Sequence, residues 1–200
     1  MTAEQPLFML LMAAMALGWA ATVAADQCPA TGQTTVYRTG DDGDIQAGAT
    51  LRYTDNGDGT VTDKNTKLTW EKKSDDGTIH DMDNVYTWED AFAVHVESLN
   101  TANFAGHNDW RLPNAKELMN IMDLENFNPI VSSAFNTNCV PNVTVVDGSC
   151  TAASNYWSST TLAPSSGGSL AYVEDFIFGF VLAFGKGDSF RVRAVRGGSP

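Results

Sequence analysis

The run of residues 106–118, "GHNDWRLPNAKEL", combines in a short space several side chains that could do chemistry. The guanidinium of Arg111 could hold a carboxylate or phosphate, but catalysis would also need a nucleophile and a base. The chain has no GxSxG or HExxH motif and no cysteine pair at metal spacing. We therefore interpret the run as scaffold, in which Trp110 and Leu112 fill the core and Arg111 binds loop carbonyls or a carboxylate.

Histidines and acidic turns are the other residues that could bind a metal. The three histidines, His80, His95 and His107, have no ligand spacing to one another, and His95 lies on an apolar helical stripe, which favours a packed histidine. The Asp-rich stretch around residues 55–59 suggests calcium, but glycines stand where an EF-hand needs ligands. Asp and Gly are also the usual residues of hairpin turns, so we predict a turn and no cofactor, with calcium left as a minor possibility.

The stretch "EDFIFGFVLAF", residues 174–184, has large apolar residues where a hairpin turn is expected. It is either a buried strand pair or an exposed contact surface, because exposed apolar clusters tend to mark interaction sites. We favour the contact surface, with the turn after it, "GKGDS", as a polar rim. The candidate ligand-binding residues are Glu174, Ile177, Phe178, Phe180, Lys186 and Asp188.

Cys139 and Cys150 enclose a short, turn-rich loop, "CVPNVTVVDGSC". In an oxidising compartment this spacing predicts a disulfide, although two unpaired thiols are the alternative. Cys28 is then the odd cysteine near the N-terminus.

The N-terminal run Leu7–Ala25 is apolar and ends in small residues, which is typical of a signal peptide cleaved before Asp26. The stretch before it has no Lys or Arg, and a membrane anchor is the alternative because the run is nearly long enough to span a bilayer. We predict that residues 1–25 are removed, that no stable membrane insertion remains, and that the protein is secreted, periplasmic or on the cell surface.

The charge of the chain limits its partners. With 24 acidic and 12 basic residues the formal net charge is −12, and the predicted cleavage would remove only Glu4 among the charges. Such a chain is unsuited to binding nucleic acid or polyanionic glycans through bulk electrostatics.

The elements that must position these residues suggest one α+β domain. We expect an irregular N-terminal arm over residues 26–50 and a domain over 51–198. Its pattern predicts strands joined by turns at 56–59 and 64–65, then helices capped by Thr87 and Asn114, and a long loop over 124–155. Three strand-like runs, "SLAYVEDF", "FVLAF" and "FRVRAVR", are expected to form an antiparallel C-terminal sheet.

Five blocks occur together and in order: "RYTDNGDGTVTDKNTKLTWEKK", "TWEDAFAVHVESLN", "GHNDWRLPNAKELMNIMD", "YWSSTT" and "RVRAVRGG". In this the chain resembles the C-terminal domain of Legionella collagen-like adhesins. The resemblance implies a C-type-lectin-like fold, related to that of formylglycine-generating enzymes, with a ligand surface formed by loops and the C-terminal sheet. The chain lacks the Glu-Pro-Asn, Gln-Pro-Asp and Trp-Asn-Asp triplets of calcium-dependent lectins, and its cysteines do not suggest the copper site of the enzymes.

We therefore predict an exported binding or adhesion module, not an enzyme, that recognises a protein or glycan on another surface. The alternative is a structural subunit of an extracellular assembly, a homo-oligomer that uses the apolar hairpin as its interface. A further hypothesis is that the C-terminal region is diversified by a retroelement, as in some C-type-lectin-like proteins.

Overall fold

The computed structural model describes residues 28–163 and 167–198. The predicted signal peptide, residues 1–25, lies outside the described residues. The described part of the predicted arm is bonded within itself and to the domain. The backbone N–H of Ala30 donates to the carbonyl of Ala49 within the arm (2.8 Å), and the backbone N–H of Leu124 in the domain donates to the carbonyl of Thr31 (2.7 Å). A single helical turn, α1 (Asp42–Ile45), is capped by the side chain of Asp41.

The first sheet has four antiparallel strands in the order β1-β2-β3-β7. Its strands are β1 (Tyr53–Asp55), β2 (Thr60–Asp63), β3 (Leu68–Glu71) and β7 (Val195–Gly197). Gly57 and Gly59, with φ of 74° and 92°, make the tight connection between β1 and β2 that the sequence predicts.

The second sheet has three antiparallel strands in the order β4-β5-β6. They are β4 (Asn155–Thr161), β5 (Leu170–Asp175) and β6 (Val181–Gly185). The prediction that "FRVRAVR" completes this sheet is wrong: its end is β7, which pairs with β3, and "NYWSSTT" supplies the third strand instead. Burial explains the exchange, because Val195 pairs with Trp70 and both are fully buried.

Both predicted helix starts are confirmed. The Thr87 side chain accepts the N–H of Asp90, and a helical run follows without a break through α2 (Trp88–Asp90), the π-helical segment Ala91–Val96 and α3 (Glu97–Thr101). Asn114 and Glu117 form a full capping box at the start of α4 (Ala115–Met119).

The described residues form three apolar core clusters. The largest lies between the first sheet, α4 and the second sheet and includes Trp70, Leu118, Tyr156 and Phe176. The other two are centred on Trp157 and on Trp110. Within the described residues, no helix is long and apolar enough to cross a membrane.

The predicted disulfide is confirmed: Cys139 is bonded to Cys150, with the two Cα atoms 5.0 Å apart. Cys28 is a free, exposed thiol.

Candidate functional site

The β5–β6 hairpin ends in a tight turn that the side chain of Asp175 organises. Its Oδ1 accepts the N–H of Ile177 (2.8 Å), and its backbone carbonyl accepts the N–H of Gly179 (2.9 Å). Gly179 has a φ of 79°, a conformation that favours glycine. The turn therefore holds its flanking residues in fixed positions.

Three exposed phenylalanines form an aromatic cluster at this tip. Phe178 is 60% exposed, Phe180 57% and Phe127 71%. The ring centroids of Phe127 and Phe178 are 6.1 Å apart, as are those of Phe178 and Phe180. Ile177 is half-buried. The prediction that large apolar residues at this turn are exposed is thus met by the two phenylalanines.

Phe127 is a member of the cluster that the sequence did not indicate. It lies in the polar loop "LENFNP", far along the chain from the hairpin. The loop is fixed against the hairpin by the backbone N–H of Ile130, which donates to Phe176 (3.0 Å). A Cβ at Gly179 would stand 3.0 Å from Ile130 Cδ1 and 3.5 Å from Leu124 Cδ2, so the turn packs directly on this loop.

The exposed apolar surface continues from the cluster along β6. Val181, Leu182 and Ala183 are all exposed, the first two to 41% and 38%. Leu124, at 49%, adds to it beside the turn. Surfaces of this kind tend to mark contact sites in soluble proteins.

Glu174 does not fit the exposed role predicted for it. Its side chain is fully buried, and among the described residues neither carboxylate oxygen has a hydrogen-bond partner. In the sheet register it stands between Tyr156 on β4 and Val181 on β6. Burial raises the pKa of its carboxyl to about 8.

Lys186 and Asp188 are not brought together with the aromatic cluster. They follow β6 at the end opposite the tip, a strand length of about 17 Å away. The ammonium of Lys186 lies 3.7 Å above the Trp88 ring and donates to Thr161 (2.9 Å). Asp188 is exposed in the following turn, so the predicted polar rim does not border the tip.

The core role predicted for Trp110 and Leu112 in the run "DWRLP" agrees with the structure. Trp110 and Leu112 are buried, and the Trp110 indole N–H donates to the carbonyl of Phe104 (3.1 Å). The Arg111 guanidinium forms a bidentate ion pair with the Glu117 carboxylate, with N–O distances of 2.8 and 2.6 Å. This pair ties the lead-in segment to the first turn of α4.

A buried ionic network around Glu71 was not foreseen. Its Oε1 contacts His80 Nδ1 (2.8 Å) and accepts from the Lys73 ammonium (3.1 Å). Its Oε2 contacts His95 Nε2 (2.8 Å) and accepts the backbone N–H of Ala194 (2.9 Å). Burial opposes ionisation of Glu71, but His95, Lys73 and His80 together hold its pKa well below the ordinary value.

The same contacts act on the pKa of His95. Burial lowers the pKa of its imidazole despite the attraction of Glu71. The Nε2 atom of His95 faces Glu71 Oε2, and Nδ1 has no hydrogen-bond partner in the described structure. Carboxylate and imidazole are the groups of acid–base catalysts, but Glu71 and His95 are fully buried, so their arrangement serves the fold.

The Asp-rich turn suspected of binding calcium is a hairpin turn stabilised from within. Asp55 pairs with the Lys72 ammonium (2.8 Å) and accepts the N–H of Gly57 (2.9 Å). Asp58 accepts the N–H of Thr60 (3.0 Å).

A second group of carboxylates lies elsewhere. Asp75, Asp81 and Asp83 each offer an oxygen within 4.8 Å of the others. Asp81 accepts the N–H of Gly77 (2.7 Å), and Asp83 pairs with Arg191 (3.2 Å). These contacts account for the positions of the two carboxylates within the fold.

The structure defines the class of protein as an α+β domain with two antiparallel sheets, few helices and an exposed aromatic hairpin. The family model described as Lcl C-terminal domain matches residues 59–196, more than half of the chain. The chain therefore belongs to this family, which confirms the resemblance found in the sequence blocks. The family is an adhesin-associated one, which suggests an extracellular or surface location. A comparison with curated proteins finds no match.

Proposed function

We propose that the protein is an exported binding module that recognises a protein or glycan on another surface through the aromatic cluster of Phe127, Phe178 and Phe180. The observation that carries this is the exposure of three phenylalanines at one tip, held in place by the turn and the loop beneath it. A C-type-lectin-like architecture, implied by the family resemblance, would present the hairpin in this way. Secretion or surface display after removal of residues 1–25 is part of the proposal.

The energetics of the cluster are adequate for recognition. Burying a phenylalanine side chain against a partner contributes roughly 1.5–3 kcal/mol, and two such anchors can dominate an interface. The net charge of −12 disfavours polyanionic ligands, so neutral or basic partners are expected.

The test uses the chain without residues 1–25 on arrays of glycans and proteins. A double variant, Phe178→Ser with Phe180→Ser, should lose at least about tenfold in affinity for whatever the unaltered chain binds. The matched control is Tyr37→Ser, which removes an exposed aromatic side chain from the N-terminal arm and should bind normally. Equal binding by the double variant and the control would overturn the proposed site.

The same surface could instead join copies of this chain, which is the structural-subunit alternative. Sedimentation of the unaltered chain and the double variant separates the two functions. A concentration-dependent oligomer that the double variant cannot form would favour assembly over recognition of a foreign surface.

A further inference from the structure

The sheet edges of the described structure differ in whether another backbone segment covers them. The edge of β7 is covered by Arg111, which exchanges two backbone hydrogen bonds of 2.9 Å with Val195. The edge of β4 is covered by Arg191, which is bonded to Trp157 and Asn155. The edge strand β1 is only three residues long.

The outer edge of β6 is the exception. Over the described ranges 28–163 and 167–198, no strand pairs with β6 on the side away from β5. Its sequence, "VLAFG", has no charged residue and no proline. Natural proteins usually protect an edge strand with charges, proline, a bulge or a covering segment, because an open edge invites another strand to pair with it.

The register shows which backbone groups of β6 face outward. The backbone N–H of Asp175 donates to the carbonyl of Phe180 (2.8 Å), and the backbone N–H of Lys186 donates to the carbonyl of Ser169 (2.9 Å). In an antiparallel pair the hydrogen-bonded residues alternate, so Leu182 and Phe184 bond to β5. Val181 and Ala183 therefore direct their N–H and C=O groups away from the sheet.

We propose that the outer edge of β6 binds an extended, basic segment of a partner protein as an added strand, next to the aromatic cluster. The inference deepens the proposed function, on which it rests, by naming the partner as a protein and the mode as strand addition. Backbone hydrogen bonds to Val181 and Ala183 supply part of the affinity, and apolar side chains of the segment cover Leu182 and Phe180.

The basic character of the segment follows from charge. The chain carries a net charge of −12, and basic residues complement it. A second copy of this chain would also carry a net charge of −12, so the overall repulsion between two copies disfavours pairing of β6 with itself. A foreign basic strand is the occupant that the edge fits best.

The probe is a synthetic peptide of four Lys-Val repeats with blocked ends, compared with a matched peptide of four Glu-Val repeats. Amide hydrogen exchange in the free protein should be slow at Leu182 and Phe184 and fast at Val181 and Ala183. Saturation with the Lys-Val peptide should slow exchange at the two fast amides at least tenfold. The Glu-Val peptide should bind at least tenfold more weakly.

The decisive variant is Ala183→Pro, which removes an outward N–H and leaves the bonds to β5 intact. Ala183→Ser, which keeps that N–H, is its matched control. We expect Ala183→Pro to bind the Lys-Val peptide at least tenfold more weakly and Ala183→Ser to bind normally. Circular dichroism melting checks that both variants remain folded; should Ala183→Pro unfold, the exchange pattern at Val181 and Ala183 decides.

Three results would overturn the inference: unchanged exchange at Val181 and Ala183 with the peptide, equal affinity for the two peptides, or a dimer that Ala183→Pro abolishes. The array experiment keeps this failure separate from that of the proposed function. If the Phe178→Ser, Phe180→Ser variant loses array binding and Ala183→Pro does not, the aromatic site stands and strand addition fails.

Discussion

At the scale of single residues, Glu71 links parts of the chain that are distant in sequence. Its carboxylate binds Lys73, His80, His95 and the backbone of Ala194. A buried charge of this kind stabilises a fold only while all its partners remain, because a lone buried ammonium has lost its hydration without compensation.

We predict that Glu71→Gln lowers the free energy of unfolding by about 3–5 kcal/mol, since Lys73 would stay buried without its counter-ion. Urea denaturation measures the change. The control is Asp109→Asn, which breaks the exposed ion pair with Arg196 and should cost at most about 1 kcal/mol. Similar losses in both variants would contradict a special role for the buried network.

Glu174 is a buried carboxyl that forms no hydrogen bond within the part of the chain that the structure describes, and its effect on stability depends on pH. Its pKa is about 8 in the folded protein, against an ordinary value of 4.5. The folded state therefore holds the proton more tightly than the unfolded state, and stability falls as the pH rises between these values.

We predict that Glu174→Gln removes this loss. Between pH 6 and pH 9 the native chain should lose about 2–3 kcal/mol more unfolding free energy than the variant, because only the native chain must ionise a buried carboxyl. Denaturation at both pH values measures the difference, and other titrating groups cancel because both proteins contain them. Parallel pH profiles would show that Glu174 ionises without hindrance.

At the scale of elements, the β5–β6 turn separates core from surface within three residues. Phe176 is fully buried against Tyr156, with ring centroids 4.8 Å apart, whereas Phe178 is 60% exposed. The turn bonds of Asp175 fix this division.

We predict opposite results for serine at these two positions. Phe176→Ser should lower the unfolding free energy by about 3–5 kcal/mol because it leaves a cavity in the core. Phe178→Ser should leave the melting temperature nearly unchanged, since no buried contact is lost. Calorimetry of both variants provides the measurement, and unfolding of the Phe178 variant would mean that the tip belongs to the core.

At the scale of the whole molecule, the loop between Cys139 and Cys150 is tied to the centre of the fold. Cys150 donates its N–H to Lys73 (2.8 Å) and accepts from the buried Arg193 (2.8 Å). The disulfide thus anchors an exposed loop beside the Glu71 network.

We predict that replacing both Cys139 and Cys150 with Ser lowers the unfolding free energy by roughly 2–3 kcal/mol, because the unfolded chain gains freedom when the short loop opens. Cys28→Ser is the control and should have no effect, since that thiol is exposed and unpaired. A change of less than about 0.5 kcal/mol in the double variant would show that the loop is held by its other contacts alone.

The sequence by itself determined the features that depend on near neighbours. Helix caps at Thr87 and Asn114, the turn at Gly57 and Gly59 and the Cys139–Cys150 pair each involve residues close in the chain, whose types fix the local geometry. The ordered blocks also determined the family, which the match over residues 59–196 confirms.

Only the tertiary structure decided which distant segments meet. The last strand, β7, pairs with β3 rather than β6 because Val195 packs beside Trp70 in the core. Strand propensity predicts that a segment is a strand but does not predict which strand it pairs with. Phe127 packs against Phe178 of the hairpin, although the two residues are far apart in sequence. The contact between Glu71 and His95 likewise joins distant parts of the chain. The burial of Glu174 could not be predicted from the sequence either. The alternation of residues along a strand shows which face of the sheet a residue lies on, but it does not show whether that face is covered by other elements.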